Sequence, residues 1–83
     1  MTPGKLKEKL GRFKIPESEY SLSGKQPRHC LCLEQSEVGW AVFRCTDAGD
    51  AKNLGTFFHE YDANDYLFYL LMKKHYDIEK RWW

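Results

Sequence analysis

Cys30-x-Cys32, with His29 beside it and Cys45 further along, is where the chain comes closest to a metal site. Thiolate and imidazole are the ligands of structural zinc, which takes four of them in a tetrahedron. On a strand, residues i and i+2 share a face, so Cys30 and Cys32 point the same way. Structural zinc usually draws its ligands from two matched pairs, each with two or more intervening residues. No second pair is present, so the cysteines are read as small apolar core residues. Neither metal nor cofactor is expected.

Acid–base or nucleophilic chemistry has even less to build on. His29, His59 and His75 fall in three different segments, and no Ser or Cys beside them stands in a nucleophile motif. His59-Glu60 is a local imidazole–carboxylate pair, but adjacent residues of a strand face opposite sides of the sheet. The chain is therefore expected not to be an enzyme, and any function it has is expected to be binding.

For binding, the carboxylates are the informative set. Glu34, Glu37, Asp47, Asp50, Glu60, Asp62 and Asp65 fall at strand ends, loops and a helix start. Residues 16–72 hold four basic against nine acidic side chains, a balance of −5, although the whole chain is +1. Loop carboxylates on two hairpin turns are expected to form one acidic rim suited to a basic protein partner. The candidate contact residues are Glu34, Glu37, Asp47, Asp50, Glu60 and the aromatic Tyr69. The ends are basic: Lys5, Lys7, Lys9, Arg12 and Lys14 at the start, and Lys73, Lys74, Lys80 and Arg81 at the finish.

The elements that must carry these residues follow from periodicity. At 83 residues the chain is expected to be a single domain spanning 1–83, with loose ends at about 1–4 and 79–83. Thr2-Pro3 offers a cap and first-turn pair, and Leu6, Leu10 and Phe13 recur at helical spacing, which predicts a helix over 3–13. Strands are predicted at 20–23, 28–34, 40–46 and 54–58, separated by turn residues such as Ser23-Gly24 and Asp47-Ala48-Gly49-Asp50. Asp62 is placed at the N-cap of a second helix over 63–78. Short loops between successive strands imply an antiparallel meander. The fold class is α+β, a sheet of about four strands with an N-terminal and a C-terminal helix packed on it. Trp40, Phe43, Phe57, Phe58, Tyr66 and Phe68 are assigned to the core, and Met72 and Tyr69 are divided between core and partner surface.

The order of these pieces resembles the small immunity proteins encoded beside bacterial polymorphic and contact-dependent growth inhibition toxins. The resemblance spans residues 5–72. It rests on the Leu-rich first helix, Ile15-Pro16 followed by Tyr20-Ser21-Leu22-x-Gly24, Cys32-Leu33-Glu34, Gly39-Trp40-x-Val42-Phe43, Phe58-x-Glu60-Tyr61-x-Ala63, and Tyr66-Leu67. Where such proteins often carry an acidic-Arg-Gly turn after the third strand, this chain has Asp47-Ala48-Gly49-Asp50. The resemblance implies a bacterial, cytoplasmic antitoxin that blocks a cognate toxin's C-terminal domain, a nuclease, by covering a basic active site, acting as a monomer or homodimer. It carries over no functional residues.

The alternative is a small RNA-binding domain, because helix, antiparallel strands, helix is also the layout of double-stranded RNA binders. Those need a basic first turn on the last helix, and here that turn is Asp62-Ala63-Asn64-Asp65. Nucleic acid is therefore not expected as the partner. The odd cysteine count and a charged start with no apolar leader point to the cytoplasm, and no apolar run approaches membrane-spanning length.

Overall fold

Thr2 starts the first helix, its hydroxyl accepting from the Lys5 N–H at 3.2 Å, and Pro3 fills the first helical position. The computed structural model describes residues 1–76. In chain order they form α1 (Pro3–Arg12), β1 (Tyr20–Ser21), β2 (Cys30–Ser36), β3 (Gly39–Cys45), β4 (Ala51–Phe57) and α2 (Glu60–Tyr76), with a short 3₁₀ turn at Glu17–Glu19 before β1. Residues 1–4, expected as a loose end, are tied down: the Met1 ammonium meets Asp65 at 2.6 Å and the Tyr61 carbonyl at 3.0 Å. The expected loose end at 79–83 and the last residues of the helix predicted to run to 78 lie outside the described residues.

The α+β class holds, with strands in the order β1-β2-β3-β4. β2, β3 and β4 form the expected antiparallel meander, whereas β1 joins β2 in parallel, pairing Tyr20 with Leu31 and Ser21 with Cys32. The short-loop argument for an antiparallel pair fails here because residues 22–29 do not turn back within the sheet plane. The chain stays along the edge of β2 as far as Gly24, with Leu22 against the helix-side core, and Lys25 and Gln26 then cross to the outer face. The Gly24 N–H donates to the Leu33 carbonyl at 2.9 Å, and the Lys25 ammonium sits 4.4 Å from the centre of the Phe43 ring and 3.5 Å from Glu34.

Alternation along the strands sorts their side chains onto two faces. Leu31, Leu33 and Val42 point toward the helices and meet Leu6 and Leu10 of α1 and Ala63, Leu67, Leu71 and Met72 of α2 in one core. Met72 thus belongs to the core. Trp40, Phe57, Tyr66 and Phe68 are half-buried around it. Cys30, Cys32 and Cys45 lie on the outer face with Phe43.

Two predicted boundaries move for physical reasons. α2 begins at Glu60 rather than Ala63, because the Ala63 N–H already donates to the His59 carbonyl, so Asp62 sits inside the first turn and is not the cap. β4 ends at Phe57, which leaves Phe58 in the link to α2 with neither face of the sheet to enter. It is 86% exposed and does not belong to the core to which it was assigned.

Candidate functional site

Successive turns of a meander lie at opposite ends of its strands. Glu37 and Val38 form the two-residue turn between β2 and β3, where Ser36 pairs with Gly39, and Asp47 and Asp50 belong to the turn between β3 and β4. The seven residues of β3 separate the two turns, a span of about 20 Å. Glu37 therefore cannot share one acidic rim with Asp47 and Asp50. The expectation of a single rim is corrected: the loop carboxylates divide between two ends with different surroundings.

At the Glu37 end, exposed apolar groups stand among carboxylates. Trp40 pairs with Phe57 across β3 and β4, which brings the Glu37-Val38 turn beside the β4–α2 link. Gly39 takes a φ of +151°, and its α-carbon faces the Phe57 carbonyl and the Phe58 backbone so closely that no side chain fits between. Val38 is 68% exposed, Phe58 86% and Tyr61 52%. The His59 and Tyr61 rings stack with centroids 5.0 Å apart and planes 9° from parallel. Glu60 and Asp62 occupy the first turn of α2, where negative charge suits the helix dipole. The result is an apolar patch of Val38, Phe58 and Tyr61 edged by Glu37, Glu60 and Asp62.

The opposite end is basic. A cleft of about 470 Å³ has His29, Arg44, Lys73 and Lys74 in its walls, together with Cys30 and Cys45. Asp47 lies 3.4 Å from His29, and Asp50 is exposed on the same turn. Glu19 approaches Lys74 at 3.0 Å and His75 at 2.5 Å. Carboxylates here face positive neighbours and offer a basic partner less than those at the other end.

The remaining two candidates join neither end. Glu34 lies on the outer face of β2, paired with Lys25 and in contact with Gly24. Tyr69 is half-buried in the middle of α2, its ring stacked beside Tyr66 at 6.5 Å; nine residues of helix put it about 13 Å along from Glu60. Of the predicted contact residues, Glu37 and Glu60 fall at one end of the sheet and Asp47 and Asp50 at the other.

Val38, Phe58 and Tyr61 escaped the sequence reading. A signal for each was present: Val38 sits at a turn centre, where no core is within reach, and Phe57-Phe58 places two large rings consecutively, only one of which a strand can bury. Chemically, the acidic end offers apolar area and fixed negative charge to a macromolecular partner. Elsewhere, burial and the hydrogen bonds that the Cys32 thiol makes to Cys45 and Cys30 push it well above its usual range. Comparison of the chain with known protein families, with curated proteins and with solved structures gives no match.

Proposed function

We propose that the chain is an immunity protein: a cytoplasmic, non-catalytic inhibitor that binds the toxic domain of a bacterial polymorphic or contact-dependent toxin and covers a basic active site, such as that of a nuclease. The observation that carries the reading is the acidic end, where Val38, Phe58 and Tyr61 stand exposed beside Glu37, Glu60 and Asp62. Exposed aromatic groups supply the central anchors of protein interfaces, and a surrounding ring of one charge steers a partner of the other. No helix among the described residues is long and apolar enough to cross a membrane, which agrees with this reading without locating the protein.

The basic residues of α1 favour the RNA-binding alternative, since Lys5 and Lys7 are exposed on a helix packed against α2. Against it, the first turn of α2 presents Glu60 and Asp62 where such domains grip phosphate. The test is to express the chain with the toxic C-terminal domain of the secreted protein encoded beside it. The reading requires a stable one-to-one complex, survival of the host cell and loss of toxin activity in proportion to the chain added. Failure to form that complex, together with saturable binding to duplex RNA at physiological salt, would replace it with the alternative.

A further inference from the structure

All three cysteines of the chain meet at one place. Cys30 and Cys32 alternate onto the outer face of β2, and Cys45 lies directly across the ladder from Cys30 on β3. Their sulfurs converge further than strand geometry requires: Cys30 Sγ and Cys32 Sγ are 3.4 Å apart, Cys32 Sγ and Cys45 Sγ 2.7 Å, and all three lie within 4.8 Å of one another. They form a cluster separate from the main core, with Phe43 alone packed against it among the partly buried apolar groups.

We infer that Cys30, Cys32 and Cys45 form a three-sulfur site for a thiophilic ion of the cuprous class. Three sulfurs held about 2.3 Å from a central ion stand about 4 Å apart, so the triangle needs the Cys32–Cys45 pair to open by about 1.3 Å and the Cys30–Cys32 pair by about 0.6 Å. Zinc prefers four ligands, and among the described residues no histidine or carboxylate joins the three thiols. His29 turns instead to Asp47. The three cysteines are 0–4% exposed, which leaves no ready place for a water ligand. Soft, all-sulfur coordination with few ligands selects copper in its reduced state.

A positive charge lies near the site. Lys25 lies over Phe43, which packs against the cluster on the same face of the sheet. Each thiol that binds as thiolate releases one proton, so affinity rises with pH. The sequence spacing alone argued against metal because no second cysteine pair exists; the ladder supplies the third ligand from the facing strand.

The test titrates the reduced full chain with cuprous ion buffered by a competing chelator under anaerobic conditions, with zinc in parallel. The expected result is one equivalent of copper bound, X-ray absorption showing three sulfur neighbours, at least tenfold weaker binding to each of Cys30→Ser, Cys32→Ser and Cys45→Ser, and a melting temperature that rises with copper and not with zinc. The wild-type measurements stand even where a variant fails to fold. Failure of the wild-type chain to compete for copper, coordination by fewer than three sulfurs, or zinc bound more tightly than copper would overturn the inference.

Discussion

Gly39 lies against the Phe57 carbonyl so closely that a methyl group on its α-carbon would overlap the oxygen, which joins the β2–β3 turn to the end of β4 backbone to backbone. That contact builds the acidic end, because it holds the Glu37-Val38 turn beside Phe58. Gly39→Ala must both adopt a φ that L residues avoid and push two strands apart. The expected loss is about 3 kcal/mol or more. Gly49 has φ +87° and open space around the same position, so Gly49→Ala carries the backbone strain alone and is expected to cost about 1 kcal/mol. Urea denaturation of the two variants measures the difference, and equal losses would show that the Phe57 contact does not constrain the turn.

The core prediction compares Leu67 with Trp40. Leu67 is fully buried between α1, α2 and the sheet, and Leu67→Ala is expected to cost about 2–5 kcal/mol, a large part of the stability of so small a domain. Trp40, predicted from sequence to be a core residue, is only half-buried where it packs against the core. Trp40→Ala is therefore expected to cost less than Leu67→Ala, and a chemical denaturation series on both variants decides the order.

Raising the pH is expected to destabilise the fold through Cys32. Burial, then the hydrogen bonds its thiol makes to Cys45 and Cys30, lift its proton affinity above the ordinary thiol value of 9.0. Above that value the unfolded chain has lost a proton that the folded chain keeps, so stability is flat below about pH 9 and falls beyond it. Tyr20, raised above 10.0 by burial and then by the Glu17 charge, adds a second fall of the same sign at higher pH. Melting temperatures between pH 9 and 10 under reducing conditions are expected to decline in the wild type and to stay level in Cys32→Ala. Parallel curves would remove Cys32 as the cause.

Much of the architecture was legible because the relevant signals are local. Leu6 and Leu10 mark the buried stripe of α1, Thr2-Pro3 its start, and the alternation around Leu31, Leu33 and Val42 the inner face of the sheet. The parallel strand was not legible: β1 is two residues long, and its pairing depends on where the 22–29 segment folds. Legible but unread was the meeting of Cys45 with Cys30. Once Glu37-Val38 is taken as a two-residue turn, counting outward along the ladder pairs them. The same count places Glu37 and Asp47 at opposite ends.

Phe58 is the expected anchor of the interface. At 86% exposed it packs on little of its own chain, so Phe58→Ala is expected to leave the denaturation midpoint within the effect of about 0.5 kcal/mol typical of surface changes. Affinity for the toxin domain is expected to fall about 30-fold or more, as for a buried aromatic anchor. Calorimetric titration of the variant gives both stoichiometry and affinity; unchanged affinity would place the interface elsewhere.

The most direct measurement is the affinity of two charge-reversal variants for the toxin domain, one at each end of the sheet. Glu37→Lys with Glu60→Lys alters the aromatic end, and Asp47→Lys with Asp50→Lys alters the basic end; Glu37, Asp47 and Asp50 are exposed, and the half-buried Glu60 opens α2, so the denaturation midpoint of each variant is measured alongside. The first variant is expected to bind at least about 100-fold more weakly than wild type, with a slower on-rate and a weaker dependence on salt, and the second to stay within about threefold. Loss of binding by the Asp47 and Asp50 variant with retention by the other would contradict the assignment of the interface to the Glu37, Phe58 and Glu60 end.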